Sequence, residues 1–281
     1  MRSLTEQVVI VTGASSGIGE ATVRRLARGG ARLVIAARRI DRLEALAREL
    51  DPTGRRVVAL GIDVTQDADR RRLVEEASDR FGQIDALVNN AGYGIRGPVE
   101  LVPVELIRRN FETNVFSLIA LTQLVIPHLR RRGAGRIINI GSVAGRIARP
   151  LSAVYDSTKH ALEAITDGLR GELAPFGIEV VLIRPGFILT EFVDAANTVS
   201  APVIENPGPY APYFESFRAV YQRAQKFAGR PDDIARLVER ALTARRPAPR
   251  AAAPMHAKLL LFLKWLLPAR VMDRIVRLRR K

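Results

Sequence analysis

Gln7-Val-Val-Ile-Val-Thr-Gly-Ala-Ser-Ser-Gly-Ile-Gly-Glu20 decides how the rest of the 281-residue chain is read. Val8 to Val11 is a short apolar run rich in β-branched residues, as in a strand buried on both faces. A helical pattern runs from Glu20 to Arg28 and stops at Gly29-Gly30. Strand, glycine turn and helix in that order are the context of a phosphate-binding loop. Gly13 permits the tight turn, Gly17 lets the backbone approach a pyrophosphate, and Gly19 lets helix and strand pack closely. The helix start offers free N–H groups and a positive dipole end to an anion. An ordinary glycine turn would read the same in isolation, so the segments on either side of the sheet must decide.

Downstream, the alternation continues. Arg32 to Ala37 reads as a strand, Asp41 to Leu50 as a helix, and Pro52-Thr-Gly54 as a break. Arg56 to Asp63 is a third strand, which places Asp63 and Val64 at its C-terminal edge. Asp67 to Phe81 is helical, Asp85 to Val88 is a fourth strand, and Asn89-Asn-Ala-Gly92 follows it with small residues suited to a close ligand. Pro103 to Arg132 is a long helical region with a break expected near Asn110, and Asn114 lies within it among apolar neighbours. Arg136 to Gly141 is a further buried strand. The repeated β-α pattern through Arg184 admits essentially one architecture. It is an α/β, Rossmann-type, doubly wound parallel sheet with helices on both faces.

Ser142 stands where that strand run ends, at the sheet edge where open parallel sheets place ligands. Tyr155 and Lys159 are four residues apart, which puts both side chains on one face of a helix. A cation beside a phenol favours the phenolate, so Lys159 is expected to lower the Tyr155 pKa. A phenol tuned toward neutral pH can exchange a proton with an alcohol or carbonyl oxygen. A buried Asn114 must find partners; it either ties its helix to a neighbouring loop, holds a water in a proton relay from Lys159, or does both. After the second strand, Ala37 stands where an acid would accept from a ribose 2′-hydroxyl, and Arg38 offers a guanidinium for a 2′-phosphate. A solvated surface arginine is the plainer alternative.

Composition narrows the chemistry. There is no cysteine, which removes disulfides, thiol catalysis and thiolate metal sites. Three scattered histidines, His128, His160 and His256, do not make a metal centre, and no metal is expected. The first strand-like run begins at Val8, leaving no room for a signal peptide, and no segment approaches the roughly 20 apolar residues that span a bilayer. A cytoplasmic protein is expected. The formal net charge is +15, and the segment from Arg245 to Lys281 holds eleven Lys or Arg against one acid, Asp273. The basic character therefore belongs mostly to the tail.

These motifs, taken together and in order, resemble the short-chain dehydrogenase/reductase family. The likeness rests on Thr12-Gly-x-x-x-Gly-x-Gly19, Asn89-Asn-Ala-Gly92, Asn114, Ser142, Tyr155-x-x-x-Lys159, and Pro185-Gly186 with Thr190, over about residues 5 to 245. The resemblance implies an oxidoreductase that interconverts a secondary alcohol and a ketone with a nicotinamide cofactor, and the missing acid at Ala37 with the base at Arg38 favours NADP(H) over NAD(H). Tyr155 would be the general acid/base, Lys159 would lower its pKa and hold the nicotinamide ribose, Ser142 would bond the substrate oxygen, and Asn114 would support a relay. Gly13, Ser15, Gly17, Ile18 and Gly19 would line the pyrophosphate, and Arg38 would meet the 2′-phosphate. Asp63 and Val64 would contact adenine, and Asn90 would line the groove. Beyond Pro185 and Gly186, the backbone of Ile188 and the hydroxyl of Thr190 would fix the carboxamide. The family's final strand has only one candidate here, Pro249 to Met255, poor strand material that is expected to be short or edge-like.

The catalytic domain is expected over residues 1 to 250, with a substrate lid over 187 to 229 and a C-terminal helical extension over 251 to 281. The lid segment gathers Phe187, Phe192, Val193, Tyr210, Tyr213, Phe214, Phe217 and Tyr221 among several prolines. Such a lining suits a bulky apolar alcohol or ketone, although the same rings could simply pack the lid on the body. Lid and tail look most like the steroid and retinol dehydrogenase-like members. In the tail, Ala257 to Leu267 is leucine-rich, and Val271, Ile275 and Leu278 lie among arginines that include Arg279, Arg280 and Lys281. It reads either as a helical cap or as a basic anchor on an anionic membrane surface. Nucleic acid is not an expected partner, because phosphate binding needs neither the Trp nor the leucines. The family resemblance further implies a homodimer or homotetramer. Two other readings stay open: a reductase of carrier-bound 3-oxoacyl chains, and a non-catalytic NADPH-binding sensor or docking protein.

Overall fold

The computed structural model describes residues 3–5 and 7–277. The first β-branched run forms β1 (Val8–Thr12), followed by α1 (Gly17–Arg28), β2 (Arg32–Ala37), α2 (Ile40–Leu50), β3 (Val57–Gly61) and α3 (Asp67–Phe81). Then come β4 (Ala86–Asn89), α4 (Val104–Phe111), α5 (Ser117–Arg131), β5 (Gly135–Ile140), α6 (Ala153–Leu173) and β6 (Ile178–Pro185). Helices α7 (Phe192–Val199), α8 (Ala201–Glu205) and α9 (Ala211–Gln225) precede α10 (Pro231–Thr243), β7 (Arg250–Ala253), α11 (Met255–Leu266) and α12 (Ala269–Val276).

The seven strands lie in the order β3-β2-β1-β4-β5-β6-β7, and every neighbouring pair is parallel. Period-two alternation sends their side chains into two separate cores. Val9 and Val11 of β1 face a layer with Val23 and Leu26 of α1 and Ile234 and Val238 of α10. Ile10 faces the other layer, with Leu73 and Val74 of α3 and Leu121 and Val125 of α5. The strand order reverses between β1 and β4, so their C-terminal ends diverge into the crevice where such sheets bind ligands.

Two expectations shift in detail and a third holds. The third strand ends at Gly61, before Asp63, because the Asp63 N–H is taken by the Asp69 carboxylate at 2.7 Å instead of a neighbouring strand. The long helical region does not break at Asn110, which lies buried inside α4 and donates to the Tyr93 carbonyl. It loosens two residues later into a π-helical turn, Glu112–Phe116, that carries Asn114. Such turns are rare, and they are frequent at functional sites. The last strand is indeed short: β7 is four residues at the sheet edge.

One core contact runs against composition. Arg136, in the apolar run of β5, is 1% exposed, pairs with Glu179 at 2.8 Å, and donates to the carbonyls of Ala241 and Ala244 at the end of α10. Its guanidinium satisfies the carbonyls that the helix end leaves without partners. Leu278, Arg279, Arg280 and Lys281 lie outside the described residues.

Candidate active site

The glycine turn folds as a cradle. Gly13 and Gly17 have φ of +65° and +57°, in the left-handed region that only glycine enters freely. A Cβ on Gly19 would sit 2.1 Å from the Gly13 carbonyl oxygen, so the helix reaches the strand end only without a side chain there. Ser16 precedes α1 in an extended conformation, and no side chain caps the helix, which leaves its first N–H groups available to an anion. Asn90 holds this turn from below: its Nδ2 donates to the carbonyls of Thr12 and Gly13, each at 3.0 Å. Thr12 Oγ1 in turn accepts from the N–H groups of Asn90 and Ala91, each at 3.1 Å.

A cavity of about 1600 Å³ runs from this cradle to the lid. Ser15, Ile18, Arg38, Asp63, Val64, Pro185, Gly186, Ile188 and Thr190 all line it. Thr190 lies against the cradle, 3.0 Å from where a Gly17 Cβ would be. Arg38 is exposed, and its side chain makes no hydrogen bond or ion pair among the described residues. Its neighbour Arg39 is the one engaged with the loop. It donates to Ser16 Oγ at 2.8 Å and Ser15 Oγ at 3.1 Å, and it pairs with Glu191 at 2.9 Å. Sequence reasoning centred on Arg38 and passed over this contact; the only signal for it was its place in the Arg38-Arg39 pair.

Deeper in the cavity, β5 delivers Ser142 and α6 delivers Tyr155 and Lys159. Tyr155 and Lys159 are each 7% exposed. The Lys159 Nζ donates to the Ile140 carbonyl at 2.9 Å and lies 5.9 Å from the Tyr155 ring centre. Asn114 is tied on every side: its Oδ1 accepts from the Tyr93 N–H at 3.0 Å, and its Nδ2 donates to the Tyr93 carbonyl and Thr158 Oγ1. A Cβ on Gly92 would fall 2.9 Å from Asn114 Oδ1 and 4.0 Å from Lys159 Nζ, so only a residue without a side chain passes this close to Asn114.

The expected lowering of the Tyr155 pKa by Lys159 does not occur in this structure. Burial pushes the phenol up to about 12, while the guanidinium groups of Arg149 and Arg96 and the Ser142 hydroxyl pull against it. Burial also pushes the Lys159 ammonium down to about 8. Two ionisable groups in one dry pocket are each pushed toward their neutral forms by the loss of water. Arg96 and Arg149, which do oppose the shift, went unrecognised in the sequence because neither belongs to a spaced motif.

The lid aromatics divide. Tyr210, Tyr213 and Phe214 pack with Leu151 of the body and with Val203 and Phe217 of the lid itself. Phe187, Phe192, Val193, Phe217 and Tyr221 line the cavity, and the Phe192 ring is centred 5.4 Å from that of Tyr155. The tail closes the far end: the His256 Nε2 accepts from the Phe187 N–H at 2.9 Å, and Leu259, Leu260, Met272 and Ile275 line the same cavity.

Fold and site define a nucleotide-binding α/β enzyme with a single cleft shared by the glycine cradle and a Ser-Tyr-Lys cluster. The model of the short chain dehydrogenase family matches residues 7–200. YusZ, an uncharacterized oxidoreductase of Bacillus subtilis, is 36% identical over 239 residues, covering 84% of each chain. Human dehydrogenase/reductase SDR family member 7 is 36% identical over 210 residues, covering 73% of this chain and 61% of its own. A short chain dehydrogenase/reductase from Burkholderia phymatum, solved in complex with NAD, superposes with a TM-score of 0.81 at 25% identity, over 100% of this chain and 98% of that one. The chain belongs to the short-chain dehydrogenase/reductase family and is an oxidoreductase.

The buried ammonium generates a stability prediction. The folded Lys159 pKa of about 8 lies below its unfolded value of 10.5, so this term favours folding above about pH 10.5 and is lost as pH falls through 8. Lys159→Met should therefore melt a few degrees higher than the parent at pH 7. The net gain is about 1–2 kcal/mol after subtracting the lost bond to Ile140. The advantage should shrink toward pH 10.5. Thermal melts across that range check it, and a variant less stable at pH 7 contradicts the assignment.

Proposed function

We propose that the protein is an NADP(H)-dependent oxidoreductase that interconverts a lipophilic secondary alcohol and its ketone. The observation that carries this reading is the Tyr155 phenol, buried at the junction of the cradle cavity and the aromatic lid, with Ser142 beside it and Lys159 behind it. The cradle suits a dinucleotide: positive-φ glycines, an uncapped helix start and the Asn90 brace leave N–H groups and space where a pyrophosphate would lie. The bound dinucleotide would supply or accept the hydride. Ser142 would donate to the substrate oxygen, and Tyr155 would pass it a proton. A phenol held protonated is a donor, so this resting state serves ketone reduction. Lys159 would hold the ribose, and Asn114, already anchoring Tyr93, would hold a water in a relay from Lys159.

Ala37 at the end of β2, followed by two arginines, supports NADP(H), because no carboxylate stands there to accept from a 2′-hydroxyl. The Arg38 guanidinium is unengaged and faces the cleft. Phe187, Phe192, Phe217 and Leu259 on the cavity wall support a lipophilic substrate. The tail supports a second role, at an anionic membrane surface. Phe262 and Trp265 of α11 point outward, 52% and 79% exposed, with Lys258, Arg270 and Arg274 exposed nearby in the chain. No helix among the described residues is long and apolar enough to cross a membrane.

Tyr155→Phe should lower kcat by about a hundredfold or more while cofactor binding persists, since the ring stays and only the proton carrier leaves. Steady-state kinetics beside cofactor titration checks this, and a substantial residual kcat refutes the role. Arg38→Asp should shift the kcat/KM ratio of NADPH to NADH toward NADH by about tenfold or more, because the carboxylate repels a 2′-phosphate. An unchanged ratio moves the role to Arg39. For the tail, Phe262→Ser with Trp265→Ser should reduce co-sedimentation with anionic vesicles, and binding of the parent should weaken with added salt. A parent protein that ignores such vesicles at low salt ends the membrane reading.

A further inference from the structure

Two arginines reach the substrate end of the cavity, and they are in different electrostatic states. Arg149 is compensated: its Nε and Nη2 both bind the Asp156 carboxylate, at 3.1 and 2.6 Å. Arg96 is not. It is 5% exposed, its Nη1 donates to Ser152 Oγ at 2.8 Å, and its Cζ lies 5.2 Å over the Phe217 ring centre. Its Nε is buried without a partner, and Nη2 has no hydrogen bond or ion pair among the described residues. Asp194 also lines the cavity but forms no ion pair with Arg96. A buried cation with orphaned donors is costly, and burial already pushes this guanidinium down to about 10.

The surroundings hold Arg96 in place at some expense. Its own N–H donates to Ser200 Oγ at 2.7 Å, and the next residue, Gly97, donates to the Leu151 carbonyl at 2.9 Å. Leu151 has a φ of +59°, a strained value for a branched residue. Strain of this kind persists where surrounding structure over-determines it, as at ligand clamps. Nε and Nη2 share one edge of the guanidinium, and that edge presents two parallel N–H groups matched to the two oxygens of a carboxylate. Phe217 covers one face of the plane, and Nε is buried and unpaired.

We propose that the substrate is an amphipathic oxo or hydroxy acid whose carboxylate takes the Nε–Nη2 edge of Arg96 while its apolar chain lies along the lid and tail. This rests on the oxidoreductase reading above and deepens it. A neutral ketone would leave the cation unpaired in a dry pocket; a carboxylate satisfies charge and both donors at once. Arg96 is close enough to Tyr155 to draw its phenol down, so the anchored end and the reacting carbon sit in one chamber.

The test compares medium- and long-chain oxo acids with their methyl esters. In the parent protein with NADPH, the acid should show at least a tenfold higher kcat/KM, expressed mainly in KM. Arg96→Met should collapse the acid-to-ester ratio to about one, and Arg96→Lys should keep part of it. Calorimetric binding of an unreactive saturated fatty acid, against its methyl ester, to the protein–NADPH complex reads the same preference without turnover. Equal binding of acid and ester to the parent overturns the proposal even if Arg96→Met does not fold, and so does a ratio that survives in Arg96→Met. Acid binding that depends on Arg96, with no ketone turned over, upholds the Arg96 assignment and overturns the lipophilic alcohol/ketone reading instead.

Discussion

The close approach of α1 to the end of β1 is the constraint on which the cleft depends. The Gly13 carbonyl lies where a Cβ on Gly19 would fall, at 2.1 Å, so a single methyl group would push the helix away from the strand. That contact aims the first N–H groups of α1 into the crevice between β1 and β4. It is braced by side-chain amides rather than by packing alone. Asn90 ties the turn to β4, and Asn89 extends the brace by donating to Asn139 and Thr122, while Asn139 donates to Thr166 of α6. A chain of satisfied buried amides thus runs from the cradle to the helix that carries Tyr155 and Lys159. Each unmade bond in it would leave a buried polar group unpaired, so the chain specifies register as well as stability.

Charge in a dry chamber is the second theme. Tyr155, Lys159, Arg96 and Asp156 are buried, and Arg149 reaches Asp156 from a part-exposed position, its side chain 36% exposed. Arg149 finds Asp156, whose carboxylate is fully buried, and the pair is neutral overall. Lys159 finds only a carbonyl, and burial drives it toward the amine. Arg96 cannot give up its proton at neutral pH and finds only a hydroxyl and an aromatic face. Arg96 and Lys159 therefore both contribute positive potential in the chamber that holds the phenol, a field suited to negative charge developing on a substrate oxygen.

The architecture and the motif residues were legible in the sequence because they depend on local rules. Val8 to Val11 alternates between two cores, so its β-branched run is a buried strand in any parallel context. Glycines at 13, 17 and 19 announce the cradle because no other residue tolerates the backbone there. Tyr155 and Lys159 share a face because a helix repeats every 3.6 residues. The sequence alone likewise determined that the last strand would be weak, since Pro249 to Pro254 offers little that pairs or packs.

Tertiary structure alone decided what surrounds those residues. No spacing links Arg96 to Ser152, Phe217 and Tyr155, because they come from separate loops and helices that meet only when the lid folds over the sheet edge. The sign of the Tyr155 shift depended on burial, which no i, i+4 rule supplies. Likewise, Arg39 rather than Arg38 binds the loop serines because β2 ends beside the cradle at that one angle. Periodicity and backbone sterics act over a few residues and are written in the chain. Desolvation and the pairing of charges depend on everything within several ångströms, and only the folded chain sets that neighbourhood.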